Sequence, residues 1–424
     1  MIDIKQIREN PPKFKDACEA KGFAVDIDHL LGIDAELQEN KKKLQYIATE
    51  KNKLGKSIPN LTGDERNWAI GKLSIHKKNE AKLQEQIKEL QPEFDELMRH
   101  VAQPADDDVP FGKDDTENVE IRKEGKVRQF DFEPKDHVQL GLALDIIDIE
   151  RGVKLAGTRN YILKGNGALL HWAVLRFAMD FMVGKGYVPF SVPVLIKDEA
   201  MTGTGFFPGS EDQTYQMEKD NLNLAGTAEV PLTAYRMGEI LDADELPLKY
   251  VALSSCFRRE AGAAGKDTYG LYRIHQFDKI EQVVICENSV EESNKFHEEI
   301  LANAEAVMQA LELPYRVVNV CTGDLGRGQV KKYDIEAWMP SRGGYCETHS
   351  ASKFYEFQAR RLNLRYKDPA TKSNLFCHTL NNTVIASPRI LISILELYQN
   401  ADGSVTVPKV LRKYMAQKEK IAPV

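Results

Sequence analysis

The chain has 424 residues, 42% hydrophobic and 29% charged, the make-up of a soluble globular protein with room for two or three domains. Its net charge of −7 argues against a surface coated with nucleic acid, and no run of eighteen apolar residues is present to span a membrane. The six cysteines, at 18, 256, 286, 321, 346 and 377, form no CxxC pair, so neither a zinc cage nor a disulfide framework is suggested. The start, "MIDIKQIRENPPKF", has acids among its bases and no apolar block, so it reads as neither a secretion signal nor a transit peptide. A reducing cytoplasm is the expected location.

The first hundred residues carry two heptad rhythms. Leu30, Ile33, Leu37, Asn40, Leu44, Ile47, Lys51, Leu54 and Ile58 form one; Leu73, His76, Glu80, Leu83, Ile87, Leu90, Phe94, Leu97 and Val101 form the other. "SIPNLTGDE" separates them, with Pro59 and Gly63 as breakers. An antiparallel helical hairpin is expected, a coiled coil with each helix on the order of 40 Å long, projecting from the body. Lys41, Lys42, Lys43, Lys51, Lys53 and Lys56 on the first helix meet Lys72, Lys77 and Lys78 on the second in its distal half. Charge alone allows either a solvated face or an arm that touches phosphates.

Residues 103–118, "QPADDDVPFGKDDTEN", are acidic and proline-bearing and read as a linker. The expected domains are therefore 1–102, a linker 103–118, and 119–424. In the last of these, "GALLHWAVLRFAMDFMVGKG" reads as a buried helix closing at glycine. "YVPFSVPVLI", "KYVALSSCFRR" and "RIHQFDKIEQVVIC" read as extended segments. An amphipathic helix follows Ser289, with a Glu three residues after the cap. "YDIEAWMP", "GGYCETHSAS" and "CHTLNNTVIAS" are strand candidates, and a helix begins at Pro388. Strands joined by long loops predict an α+β fold, a largely antiparallel sheet with flanking helices.

Residues 254–286 carry the chemistry. "AGAAGKDT" is not a phosphate-binding loop, because Asp267 follows Lys266 and the glycine spacing is wrong; "GTGFFPG" and "GNGALL" fail the dinucleotide pattern as well. The segment reads instead as strand, Gly-Ala loop, strand. Arg258 and Glu260 are expected on one face of the first strand, and Phe277, Lys279, Glu281 and Val283 on one face of the second. Charges inside an apolar strand mark either a wet edge or a site floor. As a floor, an Arg fork would hold a phosphate and an aromatic ring would stack a base. Glu281, about 13 Å further along at strand rise, would receive a second ligand.

"FRREAG" with "YRIHQFDKIE" resembles the second signature motif of class II aminoacyl-tRNA synthetases, and "GKGYVPFSVPVL" resembles the first, with Pro193 at its proline. "LAGTAEVPLT", "GGYCETHSASKFYEFQARR" and "HTLNNTVIASPRILISILELYQNADGSVTVPKVLRKYM" resemble the seryl-tRNA synthetase family in particular, as does the N-terminal hairpin. The resemblance runs from end to end. It implies a two-step ATP-dependent, AMP-forming ligase: serine carboxylate attacks the α-phosphate of ATP, and the terminal adenosine of tRNA then takes the seryl group. It also implies residue roles. Arg258 and Arg389 are catalytic, gripping the α- and γ-phosphates; Arg259, Glu260, Phe277, Thr348 and His349 join the ATP site; Glu347 and Ser350 hold Mg²⁺ as well as ATP. Thr227, Ala228, Glu229, Glu281 and Thr383 face serine. The hairpin binds tRNA(Ser), with tRNA(Sec) as a further substrate, and a homodimer forms through the first motif.

The chain departs from the usual bacterial pattern at Asn381-Asn382-Thr383, where Asn-Gly-Ser is common, and at Pro388, where Gly commonly precedes the arginine. Two other functions stay open at this level: a paralogue that charges a carrier protein, and an inactive tRNA-binding adaptor. His275 is a general-base candidate on paper, with a structural role favoured. Neither DNA nor a membrane is an expected partner.

Overall fold

The computed structural model describes residues 1–262 and 268–423. The middle of the expected Gly-Ala loop, residues 263–267 with Gly265 and Lys266, lies outside the described residues. The chain divides into two compact units, residues 2–104 and residues 105–424 together with Met1.

In the smaller unit, helices α1 (Ile4–Glu9) and α2 (Pro11–Ala20) precede two long helices, α3 (Ile27–Ser57) and α4 (Gly63–His100). Asp26 caps α3 by accepting from the His29 amide. Gly63 opens α4 at φ +56°, after a short 3₁₀ turn at Ile58–Asn60, as the breakers predict. The heptad residues Leu30, Ile33, Leu37, Ile47 and Leu54 are buried. The polar seam positions behave differently from one another. Lys51 Nζ meets Glu80 Oε2 at 2.5 Å, so this lysine closes the seam. Asn40 Nδ2 and both His76 ring nitrogens are buried without a hydrogen-bond partner. At 31 and 38 residues the helices are longer than the sequence suggests, because they start before the first heptad residues Leu30 and Leu73, at Ile27 and Gly63.

The larger unit is built on an eight-stranded sheet. Its strands are β1 (Val119–Glu124), β2 (Val188–Ser191), β3 (Leu248–Phe257), β4 (Gln276–Cys286), β5 (Tyr315–Asn319), β6 (Lys331–Met339), β7 (Gly344–Tyr355) and β8 (His378–Ser387). The order is β1-β5-β6-β7-β8-β4-β3-β2, antiparallel throughout except for the parallel β2–β3 pair. Three helices pack on one face: α5 (Asn166–Gly184), α6 (Val290–Ala310) and α7 (Arg389–Leu397). The main core lies between them and the sheet, with Leu170, Val174 and Met182 of α5 and Ile300 and Met308 of α6 against Ile280, Val284 and Val384. Each such side chain contributes roughly 1.5–3 kcal/mol when fully buried. Among the described residues α5 is long and apolar enough to cross a membrane, but it serves here as a core helix with His171, Leu170 and Val174 buried.

Several elements differ from the sequence reading. The stretch 103–118 is tied to the larger unit from Ala105 onward: the Asp106 amide donates to Val330 O, Lys331 pairs with Asp108, and Gly112 donates to Thr322 Oγ1. Pro388 is the cap of α7, and Arg389 is its first residue. Strand β3 stops at Phe257, so Arg258 and Glu260 leave the ladder; Glu260 takes φ +52°, a left-handed backbone.

Candidate active site

The sheet face away from α5–α7 forms the floor of a cleft of about 850 Å³, counting space open to solvent. Strand alternation decides which side chains line it. On β4, Phe277, Lys279 and Glu281 face the cleft, while Ile280 and Val284 face the core. On β8, Asn381, Thr383 and Ala386 line it. Thr383 lies directly opposite Glu281 because the ladder skips Val384: Ile280 pairs with Ile385 and Glu281 with Thr383. A second skip, on β7, has the larger effect. Ile335 pairs with His349 and Glu336 with Glu347, so Thr348 is an extra residue. Glu347 and Ser350, three apart, would otherwise point to opposite faces; with the bulge both line the cleft.

At one end the groups suit a nucleotide. The Arg258 guanidinium lies 5.2 Å from the Phe277 ring centre, and its Nε donates to Gly226 O at 3.3 Å. Arg389 lies 4.3 Å from the Tyr272 ring centre and donates to Glu347 O at 2.9 Å. Both arginines thus line one cleft, although they stand far apart in sequence. Glu260 pairs with Arg273 at 2.9 Å. Glu347 is pulled in both directions. Burial raises its proton affinity, yet Arg389, Lys332, Arg258 and Arg273 together hold it below the usual carboxylate range. An anionic Glu347 and the Ser350 hydroxyl are hard oxygen donors that fit Mg²⁺. Asp334, paired across the ladder with Ser350 and hydrogen-bonded to it, is pushed up to about 7 by burial.

The other end is a small buried pocket. Lys279 is ion-paired with Glu281 and donates to Thr227 Oγ1 at 2.7 Å. Asn381 Nδ2 donates to Glu281 Oε1 at 3.2 Å. Gln358 Nε2 donates to Glu229 Oε1 at 2.9 Å and is itself oriented by Thr379 at 2.6 Å. Burial, and then the neighbouring Glu281, push Glu229 up to about 7. The pocket therefore offers two carboxylates, a hydroxyl and an ammonium, with little water to screen them.

Most of the expected site residues converge. Thr227, Glu229, Arg258, Glu260, Phe277, Glu281, Glu347, Thr348, Ser350, Thr383 and Arg389 all line the cleft. Three others are placed elsewhere. Ala228 is buried in an apolar cluster with Leu232 and Tyr250. Arg259 turns outward, 5.8 Å from the Tyr215 ring centre. His349 falls on the far side of the bulge, fully buried, with its ring bonded to Val384 O and Thr348 Oγ1, and burial lowers it to about 4. His275 bonds to Arg258 O at 3.0 Å, a structural tie. Sequence reasoning named Lys279 and Asn381 without giving either a role in the site, and passed over Gln358 and Tyr272. A lysine between Phe277 and Glu281 on one strand face was a usable signal; nothing near Gln358 or Tyr272 was.

Residues 1–103 match the seryl-tRNA synthetase N-terminal domain, and residues 213–398 match the tRNA synthetase class II core domain (G, H, P, S and T). The serine–tRNA ligase of Deinococcus radiodurans is 46% identical over 419 residues, covering 99% of this chain and 98% of that protein. The chain belongs to the seryl-tRNA synthetase family. The serine–tRNA ligase of Dictyoglomus turgidum is 41% identical over 430 residues, covering 99% of each. The crystal structure of seryl-tRNA synthetase from Pyrococcus horikoshii complexed with ATP shares the fold at a TM-score of 0.94 and 39% identity, with 100% of both chains covered. The sheet described above is the class II synthetase core, mixed through its single parallel pair.

In the N-terminal unit of this seryl-tRNA synthetase family member, Lys41, Lys42, Lys43, Lys53, Lys56, Lys77 and Lys78 are exposed. Lys51 is engaged in the seam, and Lys72 lies 3.7 Å from Glu50 and 5.1 Å from the Trp68 ring centre. Tyr46 and Trp68 are exposed among these lysines.

Proposed function

We propose that the protein activates L-serine with ATP to seryl-adenylate and transfers the seryl group to the 3′ end of tRNA(Ser), and of tRNA(Sec). The observation that carries this reading is one cleft with arginines and an aromatic ring at one end and a buried polar pocket of carboxylates and a hydroxyl at the other. In the first step Phe277 stacks on the adenine, and Arg258 neutralises charge at the α-phosphate. Arg389 holds the γ-phosphate, so that pyrophosphate leaves in line with the incoming serine carboxylate. Such catalysis is positioning and charge stabilisation, and no protein base is required. Mg²⁺, held by Glu347 and Ser350, would supply charge neutralisation on the phosphates.

Serine is read by Glu281 at its hydroxyl, with Thr227 and Glu229 facing it and Glu229 available to the ammonium. A pocket built to bond a hydroxyl rejects an analogue that lacks one by roughly 10⁴-fold or more. The exposed lysines of α3 and α4 suit contacts to the tRNA backbone. A homodimer is favoured by an apolar stripe of Leu169, Trp172 and Val183 on α5, exposed together with Val188 of the edge strand β2. The six cysteines form no disulfide, in keeping with a cytoplasmic protein.

Serine-dependent ATP–pyrophosphate exchange followed by charging of bulk tRNA tests the reading. Exchange without charging would favour the carrier-protein alternative, and neither would favour an inactive adaptor.

A further inference from the structure

On the helix-covered face of the sheet several polar side chains interrupt the apolar core, among them Gln282, His297 and Asn303 beside α6, and His171 on α5. His171 of α5 is 7% exposed, set between Leu170 and Val174 of the core. Its Nδ1 lies 2.7 Å from Ser387 Oγ, and its Nε2 lies 3.0 Å from Asp278 Oδ2. Ser255 Oγ donates to Asp278 Oδ1 at 2.6 Å. A carboxylate only accepts, so Nε2 carries the ring proton, and in the neutral ring Nδ1 accepts from the Ser387 hydroxyl. Asp278 is directly opposite Ser387 on one side and Ser255 on the other, on one rung of the sheet. One imidazole therefore ties helix α5 to three neighbouring strands at one level.

That level matters for what lies on the opposite face. Asp278 immediately follows Phe277, and Ser387 stands two residues before Arg389. Alternation sends Asp278 toward α5 and its neighbours Phe277 and Lys279 into the cleft. A buried polar network is costly to desolvate and stabilises little against an apolar replacement, but it fixes orientation. Glu281 stands three residues further into the sheet, paired on both sides with Thr383 and Ala252. It does not depend on this tie.

We propose that His171 is a positioning residue for the activation step: by bonding Asp278 and Ser387 together it sets the spacing between Phe277 and Arg389, and thus the fit of the nucleotide. The proposal rests on the function proposed above and adds a residue that touches no substrate.

The test is ATP–pyrophosphate exchange on the full-length protein, with KM for ATP and for serine measured separately. His171→Ala should raise KM for ATP about tenfold and leave KM for serine within about twofold, the energy of one or two charge-assisted bonds being lost from the nucleotide end. Asp278→Asn should do likewise, and the double variant should be less than additive. Ser387→Ala should give a smaller rise in the same constant. His171→Asn and His171→Gln each keep one of the two nitrogen positions, and should give intermediate values even if His171→Ala does not fold. Folded variants with an unchanged KM for ATP would overturn the proposal. So would KM for both substrates rising together, or a loss confined to kcat that follows the unfolded fraction in denaturation curves. Wild-type protein without serine-dependent exchange would instead sink the proposed function.

Discussion

Glu281 is the residue on which serine recognition turns. Its side chain is 1% exposed and bonded to Lys279 and Asn381. Glu281→Gln keeps the shape but removes the anion. A hydrogen bond to a charged acceptor is worth about 1.5–3 kcal/mol, so kcat/KM for serine should fall by roughly 10- to 150-fold while KM for ATP holds. Glu281→Ala should add a stability loss of about 3–5 kcal/mol, because the buried Lys279 ammonium is left without its counter-ion. The assays are exchange kinetics with each substrate varied, and denaturant midpoints. Replacing the pair together, Lys279→Met with Glu281→Leu, should restore the midpoint and not the activity. A Glu281→Gln enzyme with normal serine dependence, or one whose ATP constant shifts as much as its serine constant, would refute the assignment.

Three further outcomes are expected. The Glu229 carboxyl, raised to about 7, ionises as pH climbs, and the serine ammonium prefers the ionised form. KM for serine should thus fall about tenfold between pH 6 and pH 8, and Glu229→Gln should flatten that dependence in exchange assays. The sign for folding is opposite: a carboxyl whose folded value lies above its unfolded one gives stability present at low pH and lost as pH rises through about 7. Excising residues 44–87 and joining α3 to α4 by a short turn spares Leu30, Ile33 and Met98 at the base; exchange should persist while tRNA charging is lost, and loss of both would contradict the division of labour. Trp172→Asp should convert a dimer to monomer in sedimentation, since it puts a charge in the apolar stripe on α5.

The strands, the long helices and Arg258 were legible in the sequence because their signals are local: alternation, heptads and a charged residue in an apolar run; Arg389 was named through the family resemblance alone. The phase of β7 was not. His349 and Ser350 look equally placed to reach the cleft, and only the pairing of β6 with β7 shows that Thr348 is an added residue, sending His349 inward. The same holds for Val384 on β8. Glu260 read as a strand residue because the run before it is extended; the Arg258 amide still bonds to His275 O, and the chain turns away at Glu260 through its left-handed backbone. Residues 105–118 read as a linker by composition, yet their acids are counter-ions for Lys331 and Lys353 across the body. Long-range partners of that kind leave no trace in a single chain.

The added residue at Thr348 has a consequence for how such a chain can change over time. Side-chain swaps near it disturb one contact at a time. Losing or gaining a single codon between Glu347 and Ser350 would instead turn every following side chain on that strand over. The two oxygen donors would then look in opposite directions, so this segment can drift in spelling but not in length.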